Sequence, residues 1–343
     1  MTRRSPAVEP LIKKFASRIV GQEQATDKLV EIVESFLAGM SPDNRPAGSA
    51  LFLGPTGTGK TCVVEAMAEA MFGDPRACLK VDCAEFQHSH EIAKLIGSPP
   101  GYLGHRETHA LLTQRSLNQW HTPTLKLSIV LFDEIEKASD SLWQLLLGVL
   151  DKATLTLGDN TKTDFKNSII VLTSNLGSKD MNALLRGGIG YRPEKIVVTE
   201  EKNASTALNA ARKHFTPEFM NRLDYVATFN TLTKEQIKKV MAIEIGLLIR
   251  DMFDKASFLF QVTDKAKEKI MEEGYSDEYG ARSLRRVLDK RLRLPMSRLV
   301  GTKQITPGSC IVVDEVGEED FEFSVVSLKE VQIRFDDFSK GLL

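Results

Sequence analysis

A glycine-rich stretch followed by lysine and threonine is the strongest chemical signal in this chain. Residues 54–61 read Gly-Pro-Thr-Gly-Thr-Gly-Lys-Thr and match the P-loop (Walker A) pattern G-x-x-x-x-G-K-[ST] in full. Glycines let the backbone wrap a phosphate, so that amide N–H groups and a helix N-terminus face the anion. Lys60 would reach the β- and γ-phosphates, and the Thr61 hydroxyl would bind Mg²⁺. The expected nucleotide-binding residues here are Gly57, Thr58, Gly59, Lys60, Thr61 and Cys62.

An acidic pair directly after an apolar run is the second signal. Ile129–Phe132 is a continuous β-rich run that leads straight into Asp133 and Glu134. Beside a P-loop, Asp133 would hold Mg²⁺ through water, and Glu134 would orient and activate the attacking water. The alternative is a solvated turn after a strand. Glu136 and Lys137 follow at once and fit a structural role as well as a functional one.

A polar residue at another strand end adds a third candidate. Asn175 follows the run Ile169–Ser174, and its amide could bind the attacking water. Taken alone, an asparagine after a strand is more often a helix cap or a turn residue.

Elements that would position these residues alternate along the first part of the chain. Strand-like runs separated by helical patterns predict an α/β fold, a P-loop parallel sheet flanked by helices. Because Ile129–Phe132 is apolar throughout, we expect a central strand that is buried on both faces. The strand-like runs are Ala50–Leu53, Cys78–Val81, Ile129–Phe132, Ile169–Thr173 and Tyr225–Phe229. The helical patterns include Cys62–Met71 and Asp140–Leu150.

The pattern changes near Asn230, where we place a domain boundary. Residues 1–230 would form the large nucleotide-binding domain, and residues 231–343 a smaller C-terminal α+β domain. Arg186–Ser205 is rich in glycine and charge and is expected to be a mobile surface loop. The small domain is expected to contain helices at Thr233–Phe253, Thr263–Glu273 and Tyr279–Val300, and strands at Cys310–Val313 and Val331–Phe335.

Composition and charge narrow the class of protein. The chain has 343 residues, of which 42% are hydrophobic, and its net charge is −1. Such a balanced charge gives no global attraction to nucleic acid or to an anionic membrane. The four cysteines show no CxxC pair or zinc spacing, and isolated thiols fit a reducing compartment. We therefore expect a soluble cytoplasmic protein with no membrane segment.

These motifs, in this order, resemble the Clp family of AAA+ unfoldases, specifically the second ATPase module of ClpA, ClpB and ClpC. The likeness extends from Arg18 to Val313. The matching segments are residues 19–22, 54–61, 98–104, 131–138, 173–177, 217–224 and 279–286.

The resemblance implies further roles at the nucleotide site. Val20 would lie beside the adenine, and Asn175 would be sensor 1, which positions the lytic water. Arg222 matches the arginine finger, which reaches the γ-phosphate of a neighbouring subunit, and Arg282 matches sensor 2. A surface ion pair at Arg222 and an ordinary helix residue at Arg282 are the alternatives. The family also implies ATP with Mg²⁺ and assembly into a hexameric ring.

Tyr102 carries the substrate hypothesis. It lies with Leu103 between Gly101 and Gly104, and such an aromatic residue could grip an extended polypeptide without reading its sequence. In the family this is the pore loop that pulls unfolded or tagged protein through the ring. An aromatic residue packed on the sheet is the alternative. Relatives usually have a glycine pair after the tyrosine, whereas His105–Ala110 follows here.

A second segment could bind a peptidase partner. Ile189-Gly190-Tyr191 matches the position at which ClpA and ClpC dock on the ClpP peptidase, although a glycine-rich turn explains three residues equally well. The relatives' N-terminal domain, first ATPase module and coiled-coil middle domain have no counterpart in these residues. Full ClpB-like disaggregation is therefore not expected.

Three functions are compatible with this sequence. The first is an ATP-driven protein unfoldase or remodelling chaperone. The second is an AAA+ remodeller or loader of nucleic acid, suggested by the basic segment Arg282–Arg298, for which a solvated helix face is the alternative. The third is a scaffold that binds ATP and turns it over slowly, which the intact set of Lys60, Glu134 and Arg222 disfavours.

Overall fold

The computed structural model describes residues 4–98, 110–178, 181, 200–275, 280–316 and 320–326. The chain divides into two compact units, Met1–Thr231 and Leu232–Leu343. Among the helices in the described ranges, none has the length and apolar character needed to cross a membrane.

The first unit is an α/β domain. Its helices are α1 Glu9–Arg18, α2 Glu23–Leu37, α3 Lys60–Phe72, α4 Ala93–Ile96, α5 Gln114–Leu117, α6 Asp140–Lys152, α7 Glu200–His214 and α8 Pro217–Arg222. Its strands are β1 Gly48–Leu53, β2 Leu79–Asp82, β3 Ser128–Asp133, β4 Thr154–Thr156, β5 Lys162–Asp164, β6 Ser168–Ser174 and β7 Tyr225–Thr228. Short 3₁₀ turns lie at Pro6–Val8, Cys83–Glu85, Ser89–Ile92, Asn118–Trp120 and Ile135–Lys137.

A parallel sheet of five strands organises this unit. The strand order is β2-β3-β6-β1-β7, and every pair is parallel. All residues of β1 and β6 are buried, as expected for strands covered by helices on both faces. The predicted α/β fold with a parallel, helix-flanked sheet is confirmed.

Alternate residues of each central strand face different apolar layers. Leu51, Phe132 and Leu172 pack in one layer with buried residues of α6 to α8. Phe52, Leu131 and Val171 pack in the other layer with α1, α2 and α3. This period of two is the pleat of the strand, so each continuous apolar run supplies both cores.

The strand ends bring separate parts of the sequence together. In the register of the sheet, Leu53 of β1 lies opposite Ser174 of β6, and Phe132 of β3 lies opposite Leu172. The residues that follow these strands, Gly54, Glu134 and Asn175, therefore emerge from one edge of the sheet. Ligand sites of open parallel sheets lie at this carboxyl edge.

The second unit combines helices with a small sheet. Its helices are α9 Lys234–Ala256, α10 Asp264–Gly274, α11 Ala281–Leu288 and α12 Leu294–Gly301, with a π-helical turn at Asp289–Arg293. Its strands are β8 Leu259–Val262, β9 Cys310–Val316 and β10 Asp320–Val326. The central strand β9 is antiparallel to β10 and parallel to β8.

Two sequence predictions differ from the structure. The single helix expected at Tyr279–Val300 is divided by the π-helical turn, where the amide of Leu294 donates to the Asp289 carbonyl. Pro295 follows immediately and has no N–H to continue the α-helical ladder, which accounts for the break.

The loop expected at Arg186–Ser205 was also wrong in its last part, because α7 begins at Glu200. Ala207 and Ala211, one helical turn apart, are fully buried against the core. This packing stabilises the helix, although the local composition indicated a loop. Residues 186–199 and the expected strand Val331–Phe335 lie outside the described residues.

Candidate nucleotide site

The glycine-rich segment connects the end of β1 to the start of α3. Gly54, Gly57 and Gly59 have φ angles of 147°, 80° and 101°, a region that strains any residue with a side chain. At Gly54 a Cβ atom would also lie 2.4 Å from the Phe229 carbonyl oxygen. The backbone path of this loop therefore depends on glycine, and α3 begins immediately after it at Lys60.

A buried glutamine holds the P-loop by a hydrogen bond to its backbone. Gln22, with 4% of its surface exposed, donates through Nε2 to the carbonyl of Thr58 at 3.2 Å and to the carbonyl of Asn230 at 3.1 Å. Its Oε1 accepts from the backbone N–H of Asn230 at 3.3 Å. One side chain thus ties the P-loop to the segment that follows β7.

Lys60 is folded against the loop that precedes it. Its ammonium donates to the carbonyl oxygens of Gly54 at 2.6 Å and Pro55 at 2.9 Å. Burial lowers the pKa of Lys60 to about 8, although the carboxylates of Glu136, Asp133 and Glu134 act in the opposite direction. The ammonium therefore sits in a partly desolvated site where an anion would stabilise its charge.

Asp133, the last residue of β3, is surrounded by donors. Its Oδ1 lies 3.4 Å from the Thr61 hydroxyl and 2.5 Å from the Thr173 hydroxyl, and its Oδ2 lies 2.9 Å from Lys80 Nζ. Burial acts to raise the pKa of Asp133, but the hydrogen bonds from Thr173 and Lys80 and the charges of Lys80 and Lys60 outweigh it. The net effect lowers the pKa, so Asp133 is ionised at neutral pH.

Glu134 begins the turn after the strand in a left-handed conformation. Its φ of 58° is uncommon for a residue with a side chain, and its N–H donates to the Thr173 hydroxyl at 3.1 Å. Its Oε2 forms an ion pair with Lys137. The carboxylate is about two-fifths exposed, at 39%, which leaves it accessible to water at the sheet edge.

Asn175 and Glu136 meet beside this turn. The backbone N–H of Asn175 donates to Glu136 Oε1 at 3.4 Å. The other oxygen, Glu136 Oε2, is buried and has no hydrogen-bond partner within the described ranges. Sequence reasoning left the role of Glu136 open, and the structure shows it contacting the residue after β6.

The other residues expected around the nucleotide are half-buried. Val20 precedes Gly21 and Gln22 at the start of α2, and Cys62 follows Thr61 in α3. Val20 lies two residues before Gln22, whose side chain contacts the P-loop, and Cys62 lies in the first turn of the helix that follows the P-loop.

Arg222 lies at the other end of the sheet. Its carbonyl oxygen accepts from the Ser49 hydroxyl at 3.4 Å, and Ser49 is at the beginning of β1, whereas the P-loop follows its end. Since a strand rises about 3.3 Å per residue, roughly 15 Å of β1 separates the two. The Arg222 guanidinium pairs with Asp151 at the end of α6 and with Glu218 on α8.

Arg282 is an exposed residue near the start of α11 in the second unit. Several neighbouring basic residues are paired within this unit. Arg285 contacts Glu244, Arg291 contacts Glu273, and Arg293 contacts Asp251 and Asp289. Much of the positive charge in the segment Arg282–Arg298 is therefore neutralised locally.

Two predicted features fall outside the described residues. These are the substrate loop with Tyr102 and Leu103, and the tripeptide Ile189, Gly190 and Tyr191.

Sequence reasoning gave no individual role to three residues that shape the site, Gln22, Lys80 and Thr173, although Gln22 and Thr173 lie in matching segments. Thr173 offered one signal, since it is a polar residue that directly follows the apolar run Ile169–Leu172. In the structure it is only 1% exposed. Buried hydroxyls in such positions are hydrogen-bonded. Lys80 offered none, because its contact with Asp133 depends on β2 lying next to β3.

Comparison with known families agrees with this geometry. Residues 45–226 match the family model described as the AAA domain (Cdc48 subfamily), and residues 232–313 match that of the C-terminal D2-small domain of ClpB protein. The first match covers more than half of the chain, and the chain therefore belongs to the AAA family.

Its similarity within that family is to Clp proteins. It is 37% identical over 308 residues to the ATP-dependent Clp protease ATP-binding subunit ClpC of Staphylococcus aureus, covering 90% of this chain and 36% of ClpC. The ClpC subunit of Staphylococcus epidermidis is 36% identical over 311 residues, covering 91% of this chain and 37% of that protein. The chain thus spans about a third of the length of these relatives.

Solved structures give the same assignment. A closed-state cryoEM reconstruction of Hsp104 with ATPγS and FITC-casein matches with a TM-score of 0.77 and 29% identity, over 93% of this chain and 52% of Hsp104. The extended conformation of the S. cerevisiae Hsp104–casein complex matches with a TM-score of 0.78 and 29% identity, over 94% of this chain and 53% of Hsp104. The AAA assignment makes this a nucleotide-binding chain.

Proposed function

We propose that this chain is an ATP-hydrolysing subunit of a protein unfoldase or remodelling chaperone, which threads polypeptide through the pore of a ring. One observation carries the proposal. The P-loop, the Asp133–Glu134 pair and Asn175 emerge at one carboxyl edge of the parallel sheet, and Thr61 lies 3.4 Å from Asp133. That edge contains the groups needed to bind a triphosphate and to activate water against it.

Lys60 and the residues of the P-loop bind the triphosphate. Backbone N–H groups of Gly57, Thr58 and Gly59 and the N-terminus of α3 attract phosphate oxygens. Val20 and Cys62 complete the nucleotide pocket.

Thr61 and Asp133 fit a magnesium ion, because their oxygen atoms converge and Asp133 is ionised. When bound, Mg²⁺ neutralises charge that develops on the phosphates.

Hydrolysis needs a positioned water. Glu134 orients that water and accepts its proton, and its partly exposed carboxylate at the sheet edge suits this role. Asn175, held beside Glu136, positions the same water through its amide. Arg282 has the role of sensor 2, as the family resemblance suggests.

Arg222 completes the site of a neighbouring subunit. Its position at the amino end of β1 supports this assignment, since the P-loop of its own chain lies at the opposite end. An arginine at this position suits the transition-state charge of a phosphoryl group. The active unit is accordingly an oligomer, and we infer a hexameric ring from the family resemblance.

The substrate of the ring is an unfolded or tagged polypeptide. Tyr102 and Leu103 supply the grip, by resemblance to the pore loop of the Clp family. The matching Hsp104 structures contain casein, which is consistent with a protein substrate for this chain.

A ClpP-like peptidase is a further partner to test, since the ClpC relatives are named as subunits of a Clp protease. Ile189, Gly190 and Tyr191 would form the docking contact. Deleting residues 188–191 should abolish only proteolysis coupled to ClpP from the same organism, with ATPase activity unchanged.

The nucleic-acid alternative has less support. A DNA-binding helix needs unpaired basic side chains that can reach phosphates. In the segment Arg282–Arg298, Arg285, Arg291 and Arg293 are each engaged by carboxylates of the same unit.

The decisive experiment compares stimulators of ATP hydrolysis. The ATPase rate is measured alone, with an unfolded protein such as casein, and with single- or double-stranded DNA. We expect stimulation by unfolded protein and none by DNA. Stimulation by DNA but not by unfolded protein would indicate a nucleic-acid remodeller instead. A very slow rate under every condition would indicate a scaffold that binds ATP.

A further inference from the structure

We propose that Thr173 is the positioning residue that sets both carboxylates of the Asp133–Glu134 pair. Its hydroxyl donates to Asp133 and accepts from the backbone N–H of Glu134. The proposal rests on the proposed function, because it concerns how the same site binds magnesium and directs water.

The hydroxyl of Thr173 uses its single donor in one of these contacts and accepts in the other. It donates to Asp133 Oδ1 at 2.5 Å and accepts from Glu134 N at 3.1 Å. Thr173 is 1% exposed, so water cannot replace either bond without rearrangement. A side chain of β6 thereby holds the end of β3, in addition to the backbone hydrogen bonds between the two strands.

The contact with Glu134 holds an unfavourable backbone. Glu134 has a φ of 58°, and residues with a Cβ adopt this region only when their surroundings fix it. The hydrogen bond from Glu134 N to Thr173 is one such constraint. It determines the direction in which the chain leaves β3 and therefore where the Glu134 side chain begins.

The contact with Asp133 fixes the rotation of a carboxylate. Lys80 of β2 holds Oδ2 at 2.9 Å, while Thr173 of β6 holds Oδ1, the oxygen nearest Thr61. The two strands that flank β3 thus each anchor one oxygen. Without the Thr173 hydroxyl, the carboxylate would be oriented only by Lys80 and by the long 3.4 Å contact from Thr61, so Oδ1 would be held less firmly.

The test substitutes Thr173 by valine, which has nearly the same shape but no hydroxyl. Affinity for a fluorescent ATP analogue is measured in EDTA and across a Mg²⁺ titration, without turnover. We expect the Mg²⁺ concentration for half-maximal effect to rise about tenfold, the size of effect typical of losing a hydrogen bond to a charged group. Affinity in EDTA should change by less than about twofold, since the P-loop is untouched.

Two further variants make the result specific. Thr173→Ser keeps the hydroxyl and should retain the wild-type Mg²⁺ dependence. Thr163→Val is the matched control, because Thr163 is also 1% exposed and its hydroxyl donates to the Leu112 carbonyl at 2.8 Å, away from the site. It removes a buried hydroxyl and should leave the Mg²⁺ dependence unchanged.

The outcomes separate the two proposals. A folded Thr173→Val variant with the wild-type Mg²⁺ dependence would overturn the role of Thr173, and so would an equal shift in Thr163→Val. If valine prevents folding, Thr173→Cys carries the test, because a thiol is a weak donor of similar size and should shift the Mg²⁺ requirement in the same direction. In the wild type, nucleotide binding that does not depend on Mg²⁺ would contradict the proposed magnesium site at Thr61 and Asp133, and no nucleotide binding at all would contradict the proposed function.

Discussion

The guanidinium of Arg222 forms an ion pair with Asp151 of the same chain. Asp151 lies near the end of α6, and the carbonyl of Arg222 contacts Ser49 at the start of β1. The side chain is thus held on the face of the first unit remote from its own P-loop. Arg222 is partly exposed, at 27%, so its guanidinium is accessible from solvent.

Arg222→Ala should retain ATP binding and reduce turnover by roughly a thousandfold, the size of effect that arginine fingers have in GTPases. The physical reason is that the proposed arginine finger supplies positive charge to the γ-phosphate of a neighbouring subunit. Steady-state ATPase rates and nucleotide affinity are measured on assembled protein. Asp151→Ala is the control, because it breaks the same ion pair but leaves the guanidinium in place.

Equal losses in Arg222→Ala and Asp151→Ala would mean that the ion pair itself matters and that Arg222 is structural. Concentration dependence gives an independent check. Specific activity of the wild type should rise as subunits assemble, and a verified monomer that hydrolyses ATP at the assembled rate would contradict a shared site.

Glu134→Gln should bind ATP normally and lose turnover by about a hundredfold or more, as expected for removal of a general base. The amide keeps the shape of the side chain, and Lys60, Thr61 and Asp133 remain in place. Binding is followed with a fluorescent nucleotide and hydrolysis by phosphate release. The control Glu31→Gln changes an exposed carboxylate paired with Lys28 and should behave as wild type. Near-normal hydrolysis in Glu134→Gln would remove the catalytic role of this residue.

Gln22→Leu should lower the free energy of unfolding by about 2–4 kcal/mol, because it leaves the Thr58 carbonyl and both backbone groups of Asn230 without their partner. Urea unfolding monitors the loss. Gln87→Leu is the matched control, since Gln87 is exposed and its amide donates to Ala84 at 2.9 Å. We expect a change within about 0.5 kcal/mol there. Equal effects at the two positions would show that Gln22 does not anchor the P-loop.

His121 should make stability depend on pH. Burial lowers the pKa of His121 below its ordinary value of 6.5, with the charge of Lys126 adding to the effect. Below pH 6.5 the unfolded chain therefore binds a proton more readily than the folded chain, and the free energy of unfolding falls as pH decreases through the folded pKa. The contribution is fully present above pH 6.5.

The measurement compares unfolding free energies between pH 5 and 8 in wild type and His121→Gln. Glutamine can still donate to Ser128, which His121 contacts at 2.9 Å, but it does not titrate. The variant should show a shallower decrease, whereas His90→Gln, at an exposed position, should follow the wild type. Parallel curves for wild type and His121→Gln would contradict the assignment.

Tyr102→Ala should leave basal ATP hydrolysis largely intact and impair ATP-driven unfolding of a tagged substrate. The aromatic ring supplies contact area that alanine lacks. Tyr102→Phe is the control and should keep activity, since grip requires the ring rather than the hydroxyl. If the wild type unfolds the substrate and the alanine variant does so equally well, the proposed pore loop is wrong.

The sequence by itself determined the P-loop and the parallel sheet around it. Residues 54–61 are contiguous, so their phosphate-binding pattern is complete within one turn of chain. The apolar run Ile129–Phe132 likewise specified a strand buried on both faces, and the acidic residues after it marked the carboxyl edge. A local pattern is enough to predict the P-loop and this strand, because the residues of each are adjacent in the sequence.

Only the tertiary structure decided which residues support that edge. Thr173 and Lys80 reach Asp133 because β6 and β2 flank β3, and Gln22 meets Asn230 across 208 positions of sequence. The separation of Arg222 from its own P-loop likewise follows from the direction of β1. Strand order and direction are set by packing of the whole domain, and no local pattern encodes them.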